Sequence, residues 1–193
     1  MNVDFYIDRL KTLLNEKRFK HSIGVMDTAV KLAERYGADV EKARVAGLLH
    51  DCAKNLSSEE LIALAEKYNI ELDDVLRHSP FLLHGPVGGY LIRDNFGVCD
   101  EEIKRAVMLH TTGDKDMTLL DKIIFLADFI EPGRDFEGVD VLRKTADEDL
   151  DKAVIMALDR TIEFVIKNNQ LLYNKTVIAR NDMLIKLEKS NIN

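Results

Sequence analysis

The sequence predicts an all-α protein that folds as a single domain. Apolar residues recur at the three- and four-residue spacing of one helix face along most of the 193-residue chain. No segment combines strand alternation with flanking turn residues, and the prolines and most glycines lie near proposed helix ends. With 46% apolar and 32% charged residues, the composition is that of an ordinary globular protein long enough to bury a core.

Apolar stripes and capping residues place the helices in order. Eight helices are predicted, over about residues 5–14, 20–35, 39–50, 57–68, 100–110, 118–130, 150–168 and 176–189. Gly37 is the expected stop of the second helix, and Asp39 is the expected cap of the third. The run Ser57-Ser58-Glu59-Glu60 is a capping box for the fourth helix. The acidic run Asp100-Glu101-Glu102 opens the fifth helix.

Charge and cysteine content exclude several classes of function. A net charge of −7 argues against broad nucleic-acid binding, because the phosphate backbone requires a basic surface. No apolar run is long enough to span a bilayer, and the N-terminus has no secretory signal pattern. Cys52 and Cys99 are too few for a disulfide framework and have no metal-binding spacing, which favours the reducing cytoplasm. No membrane partner and no nucleic-acid partner are expected.

His50-Asp51 is the most informative pair in the sequence. It follows an apolar run at the end of the third helix. A histidine beside an aspartate can offer one metal ion a nitrogen and an oxygen, while the second carboxylate oxygen reaches another ion. Four of the five histidines belong to one spaced series with this pair, whose further members are His21, His84, His110 and Asp128.

The members of this series are predicted on buried helix faces, where an unpaired polar group is costly. His50 follows Ala43, Ala46 and Gly47, a stripe of small residues that lets another helix come close. Asp128 lies inside the apolar run 123–130, so its carboxylate must be neutral, hydrogen-bonded or bound to cations. A single histidine on an apolar face is more often an ordinary core residue. Six such positions together favour a metal centre instead.

Four imidazoles and two carboxylates exceed the ligands that one tetrahedral ion needs, so the sequence predicts two divalent or trivalent ions. Mixed nitrogen and oxygen ligands suit iron, manganese or zinc, with iron preferred, and an iron–sulfur cluster is excluded because no cysteine belongs to the series. Such a pair of ions can activate a water for attack on phosphorus. The expected division places His84 and His110 on the second ion, Asp51 as a bridge, and on the first ion His21, His50, Asp51 and Asp128.

The ordered series resembles the HD superfamily of metal-dependent phosphohydrolases. Longer motifs narrow the resemblance to the bacterial symmetrical diadenosine tetraphosphate hydrolases of HD type, namely HDCAK at 50–54, LHGPVG at 83–88, HTTG at 110–113 and ADFIEPGR at 127–134. The resemblance covers about residues 18–181 and implies a di-iron helical bundle that splits the tetraphosphate into two nucleoside diphosphates. We expect one domain over residues 1–193, with a metal-site core at about 18–134 and C-terminal helices at about 149–190.

Four further residues are candidates for binding the substrate phosphates. Lys54 lies one helical turn beyond His50 and is expected to act in catalysis together with the bridging Asp51. Arg134 follows a Pro-Gly turn and could make bidentate phosphate contacts, while Thr111 and Thr112 directly follow a ligand. The alternatives are a solvated helix-end charge at Lys54, a surface turn residue at Arg134 and simple capping hydroxyls at the two threonines.

One histidine and one aspartate outside the series have less defined roles. His78 belongs to no series and is predicted at the surface or behind the ligands. Asp121 either orients a ligand or caps its own helix after Thr118. Arg18 and Lys20, just before His21, are weaker candidates for binding the phosphates, and a solvent-facing position is preferred for both.

Three functions compete at this stage. The preferred one is metal-dependent hydrolysis of a small dinucleoside polyphosphate, and a homodimer is compatible with it. The second is an HD phosphohydrolase of nucleoside monophosphates or cyclic nucleotides. The third is a metal- or nucleotide-binding module without turnover. Lys54 and the turn at 131–134 favour an enzyme, because a structural metal site does not need phosphate-binding cations beside it.

Overall fold

This computed structural model describes the backbone of residues 2–192 and the side chains of residues 2–189, which form eleven α-helices and no strand. A single 3-10 turn, Pro80–Leu83, precedes the sixth helix. The predicted all-α class is confirmed. In chain order the helices are α1 (Val3–Leu13), α2 (Glu16–Tyr36), α3 (Val40–Leu49), α4 (Ser58–Lys67), α5 (Asp74–His78), α6 (His84–Phe96), α7 (Glu101–Leu109), α8 (Leu119–Ile130), α9 (Val139–Glu148), α10 (Leu150–Lys167) and α11 (Asn174–Ile192).

The capping residues predicted from the sequence are found at the helix ends. Asp39 accepts hydrogen bonds from two backbone N–H groups at the start of α3, and Asp100 does the same for α7. Ser57 and Glu60 form the reciprocal capping box of α4. Gly37 ends α2 in the left-handed conformation, at φ 73°, which a residue without a side chain adopts at low cost.

Three helices were not predicted from the sequence: α5, α6 and α9. The apolar pattern of α6 is interrupted by glycines inside the helix, and glycine disfavours helix formation. These glycines are required by packing: a Cβ atom on Gly85 would lie 2.9 Å from the carbonyl oxygen of Met108 in α7. Helix α9 is preceded by Gly138 at φ 83°, which provides no capping side chain. Its start therefore carries no sequence signal.

The core lies where α2, α3, α7 and α8 meet. Helix α2 packs against α3 and α8, α3 also contacts α7 and α8, and α6 lies against α7. Helix α8 is buried on most sides, with Ile123, Ile124 and Phe125 fully enclosed. On the other face of α8, α10 packs between α9 and α11. A smaller apolar cluster, which includes Ala53 and Leu83, joins α4, the 3-10 turn and α6.

The close approach of α2 and α3 depends on the predicted stripe of small residues. A Cβ atom on Gly47 would lie 3.0 Å from Cα of Met26 and 3.1 Å from Cβ of Ala29. With no side chain at this point, the two helices come close enough for the His21 and His50 rings to lie 5.2 Å apart, centre to centre. The predicted helix contact at Gly47 is confirmed.

Candidate metal centre

The six predicted metal ligands converge where five helices meet. Their ligand atoms fall into three overlapping groups of three, within each of which all atoms lie within 4.8 Å of one another. Four of the six side chains are buried, and His21 and Asp128 are partly accessible from one side. The residues are His21 in α2, His50 and Asp51 at the end of α3, His84 at the start of α6, His110 at the end of α7 and Asp128 near the end of α8.

Three of the histidines are held in one tautomer by backbone carbonyl groups. The Nδ1 atoms of His50, His84 and His110 lie 2.8, 2.5 and 2.7 Å from carbonyl oxygens three residues earlier in the chain. Because a carbonyl only accepts, each Nδ1 must carry the proton and donate it. Each Nε2 therefore presents a lone pair to the centre of the cluster, the form in which imidazole binds a metal.

His21 is oriented by a carboxylate instead. Its Nδ1 lies 3.0 Å from Oε1 of Glu131, and its Nε2 lies 2.9 Å from Oδ1 of Asp128. Burial lowers the pKa of His21, but the two carboxylates outweigh burial and raise the pKa overall. A cation, either a proton or a metal ion, is thus favoured between the His21 ring and Asp128.

Glu131 is a functional residue to which sequence reasoning assigned no role. Its side chain is buried, contacts His21 and accepts a hydrogen bond from the backbone N–H of Gly133 at 2.6 Å. A carboxylate behind a metal-binding histidine fixes the ring and increases its basicity. The only sequence signal was its position three residues after Asp128. Its partner His21 lies 110 positions earlier in the chain.

Asp51 lies at the centre of the cluster. Its Oδ1 is 3.3 Å from Nε2 of His84 and 3.4 Å from Nε2 of His110, and its Oδ2 is 3.8 Å from Nε2 of His50. Burial raises the pKa of Asp51, but the surrounding imidazoles and Lys54 outweigh it and lower the pKa well below its ordinary value. The residue is therefore a carboxylate whose two oxygens face different histidines.

The donor atoms of the cluster fit metal ions. Nε2 of His50 and Oδ1 of Asp51 are buried without a hydrogen-bond partner among the described residues. The Nε2 atoms of His84 and His110, both lone-pair carriers, lie only 3.1 Å apart. Burial lowers the pKa values of His50 and His84 to about 4, so both rings are neutral near pH 7. Lone pairs that converge at these distances repel one another, and cations between them would remove that repulsion and give the unpaired atoms of His50 and Asp51 a partner.

A cleft of about 1360 Å³ opens from one side of the cluster. Its floor includes His21, Asp51 and Asp128, and one wall is the first turns of α2. The opposite wall is the turn after α8, residues 131–136. Small-molecule sites typically measure about 300–1,000 Å³, so the cleft can hold an extended ligand.

Of the four predicted phosphate-binding residues, Lys54 and Thr111 lie directly on the cluster. Nζ of Lys54 is 2.8 Å from Nε2 of His84 and 3.5 Å from Oδ1 of Asp51. The hydroxyl of Thr111 is 2.9 Å from Nε2 of both His84 and His110. Lys54 and Thr111 thus place an ammonium and a hydroxyl donor at the edge of the cluster formed by His84 and His110.

Arg134 and Thr112 are placed differently. Arg134 lines the cleft, but its guanidinium pairs with the Asp128 carboxylate and donates to the Asp128 carbonyl oxygen at 2.7 Å. The pKa of Asp128 is lowered because His21 and Arg134 outweigh the opposing effect of burial. The structure does not bring Thr112 to the cluster. Its buried hydroxyl donates to the carbonyl oxygen of Gly113.

Arg143 in α9 is a second residue that sequence reasoning missed. Its guanidinium donates to the carbonyl oxygens of Ile130, Glu131 and Arg134 at 2.9–3.0 Å. These three carbonyl groups define the turn that carries Glu131 and Arg134 into the cleft. Helix α9 was not predicted, so this contact could not be anticipated.

The two residues with less defined roles are also placed. His78 is exposed, and its Nδ1 lies 2.7 Å from the carbonyl oxygen of Asp74. Asp121 is the capping residue of α8, reciprocally bonded to Thr118, and pairs with Arg105 at 2.7 Å. Of the two roles considered for Asp121, the structure shows the cap.

Comparison with known proteins gives the family. The model of the HD domain matches residues 18–133, which include all six clustered residues. The chain belongs to the HD domain family, and the resemblance predicted from its motifs is confirmed.

Two bacterial relatives match nearly the whole chain. It is 42% identical to the symmetrical bis(5'-nucleosyl)-tetraphosphatase of Halalkalibacterium halodurans, over 96% of this chain and 99% of the relative. It is 44% identical to the protein of the same name from Bacillus subtilis, over 94% of this chain and 97% of the relative.

A solved structure supports the fold. The crystal structure of a Clostridium acetobutylicum protein, described as a predicted HD superfamily hydrolase involved in NAD metabolism, superposes with a TM-score of 0.94. The two sequences are 49% identical, and the match covers 96% of this chain and 98% of the other. Each helix described in residues 2–192 is too short or too polar to cross a membrane.

Proposed function

We propose that this protein is a metal-dependent hydrolase that cleaves bis(5'-nucleosyl) tetraphosphates symmetrically into two nucleoside diphosphates. The observation that carries the proposal is the six-residue His/Asp cluster, three of whose members, His21, Asp51 and Asp128, line a cleft of about 1360 Å³. The substrate class follows from the two relatives of that name, which align over 94% or more of this chain.

We assign two ions to the cluster, with iron preferred and manganese or zinc as alternatives. His21, His50, Asp51 and Asp128 would hold the first, and His84 and His110 would hold the second, with Asp51 as the residue shared by both. The separation of the Asp51 oxygens supports this division, since Oδ1 faces His84 and His110 while Oδ2 is nearer His50. When bound, such ions lower the pKa of water and stabilise charge on phosphoryl oxygens.

Protein side chains complete the site around the phosphates. Lys54 lies three residues after Asp51, with its Nζ 3.5 Å from Oδ1 of that carboxylate. Its ammonium group can neutralise charge that develops on a phosphoryl oxygen. Thr111 offers a hydroxyl donor at the same edge. Arg134 keeps Asp128 in place, and its partly exposed guanidinium lines the cleft where a phosphate passes. Asp51 and Lys54 are the proposed catalytic residues.

The cysteines are consistent with a cytoplasmic protein, which we include in the proposal. Cys52 is buried and Cys99 is exposed, and neither is in a disulfide. A reducing compartment keeps an exposed thiol of this kind free.

The product distribution tests the proposal. The protein is purified anaerobically, its metal content is measured, and diadenosine tetraphosphate is hydrolysed with products separated by chromatography. We expect ADP as the only nucleotide product. Equal amounts of ATP and AMP would show asymmetric attack and contradict the proposal. Inactivity on the tetraphosphate, with rapid phosphate release from a nucleoside monophosphate, would favour the second function considered above.

A further inference from the structure

Arg18 approaches the carboxylate oxygen of Asp51 that is not the one nearest Lys54. Its Nη1 lies 3.8 Å from Oδ2 of Asp51, whereas Nζ of Lys54 lies 3.5 Å from Oδ1. From the sequence, Arg18 is a weaker candidate for phosphate binding, with a solvent-facing position preferred. In the structure the residue lines the cleft in the first turn of α2, and 38% of its side chain is exposed.

The contact of Arg18 with Asp51 does not explain its position. At 3.8 Å it is too long for a hydrogen bond, and no described residue accepts one from the Arg18 guanidinium. The guanidinium groups of Arg134 and Arg143, by contrast, are hydrogen-bonded to protein oxygens. Arg18 therefore keeps its five donors for a ligand in the cleft.

Metal ions bound at Asp51 would leave the Arg18 guanidinium without an attractive partner in the protein. Cations at Asp51 neutralise the carboxylate that attracts Arg18 and repel the guanidinium at short range. Nearby Lys20 also lines the cleft, but its ammonium group is paired with Glu16 at 2.6 Å. An anion placed between the ions and Arg18 satisfies both, and a phosphate accepts two parallel N–H groups from one guanidinium.

We propose that Arg18 binds the diphosphate half of the substrate that lies across the cleaved bond from Lys54. This inference rests on the proposed function. Lys54 and Arg18 flank the two oxygens of Asp51, so a polyphosphate chain that crosses Asp51 meets one cation on each side. Lys54 and Arg18 together favour a ligand that has phosphate groups on both sides of the reacting phosphorus. A simple phosphate monoester has a single phosphate group and cannot contact both cations in this way.

The test compares Arg18→Ala and Arg18→Lys with the wild type, each loaded with metal. Arg93→Ala is the control, since Arg93 is an exposed arginine of α6 outside the cleft, paired with Asp94. Four properties are measured: metal content, thermal midpoint, ADP affinity by calorimetry, and kcat/KM with diadenosine tetraphosphate. Metal content and thermal midpoint show whether each variant is folded and loaded.

We expect Arg18→Ala to keep its metal while ADP affinity and kcat/KM each fall about 10- to 100-fold, the range for loss of a charge-assisted hydrogen bond. Arg18→Lys should recover part of the loss, because lysine keeps the charge but not the bidentate geometry. Arg93→Ala should match the wild type. Unchanged ADP affinity and kcat/KM in Arg18→Ala would overturn the inference. A wild type inactive on the tetraphosphate would instead refute the proposed function.

Discussion

At the scale of single residues, one hydrogen bond has two effects at each of three histidines. His50, His84 and His110 each donate from Nδ1 to the carbonyl oxygen three residues earlier. For His50 and His110 that carbonyl belongs to the last turn of a helix, where acceptors lack an intrahelical partner, whereas the Phe81 carbonyl beside His84 also accepts from the His84 backbone N–H. The same hydrogen bond satisfies the carbonyl and aims Nε2 at the centre of the site.

Asp51 and His84 should differ in what their loss removes. In Asp51→Asn the bridging charge is lost, so we expect activity to disappear and the content of both ions to fall. In His84→Ala we expect loss mainly of the second ion, since His84 contacts only one side of the cluster. Elemental analysis and turnover of each variant measure this. His78→Ala is the control, because that histidine is exposed and its ring contacts the carbonyl oxygen of Asp74, not the cluster.

One ion or fewer per chain in active, freshly purified wild type would contradict the two-ion assignment. Full metal content in Asp51→Asn would contradict the bridge.

Glu131 should act on the metal through His21. Glu131→Gln keeps the size of the side chain but replaces the carboxylate that holds the His21 Nδ1 proton. We expect metal affinity to fall on the order of 10- to 100-fold, as for other residues behind metal ligands. Titration with a competing chelator measures the affinity. Glu148→Gln, an exposed position at the end of α9, should leave it unchanged. Equal affinities in the two variants would remove Glu131 from the site.

At the scale of elements, one helix contact sets the spacing of the ligands. The site draws on five helices, and the pair α2 and α3 carries His21, His50 and Asp51. Their separation is fixed at Gly47, where a Cβ atom would press on the backbone of Met26. A rigid contact of this kind holds donor atoms in place in the absence of ligand.

Gly47→Leu should disturb both the fold and the site. Overpacking a close helix contact costs about 1–3 kcal/mol, and the separation of α2 from α3 moves His21 away from His50. We expect a lower urea midpoint and reduced metal content. Ala63→Leu places the same side chain on an exposed position of α4 and should change neither. If Gly47→Leu behaves like Ala63→Leu, the contact does not set the ligand spacing.

At the scale of the whole molecule, the ligands link segments from residue 21 to residue 128. A metal that binds only the assembled cluster stabilises the native state by mass action. Helix α10 follows the part of the chain that matches the HD domain, and it packs against α8. The helices after residue 133 are therefore coupled to the same core.

Metal removal should therefore lower the thermal midpoint of the whole protein. With free ion at 100 times its dissociation constant, binding contributes about 2.7 kcal/mol. For a chain of this size that corresponds to a fall of roughly 5–10 °C on removal of the ion. Scanning fluorimetry before and after dialysis against chelator measures the shift. Asp51→Asn should show a much smaller response. An unchanged wild-type midpoint would show that the ions add no stability to the fold.

The sequence alone predicted the helical class and the identity of the clustered side chains. Both depend on local patterns: apolar spacing and caps define the helices, and histidines that follow apolar runs mark polar groups forced into the core. Even the tautomers of His50, His84 and His110 depend on contacts three residues away. Local chemistry of this kind can be inferred from a single chain.

Tertiary structure decided what depends on distant partners. Glu131 meets His21 across 110 positions, and Arg18 reaches Asp51 although its neighbours predicted a solvent-facing residue. Helix α6 was not predicted because its glycines lower helix propensity. In the folded protein the same glycines leave room for α7 to pack closely against α6. In each case the deciding interaction joins segments that only the folded chain brings together, so no local pattern in the sequence carries it.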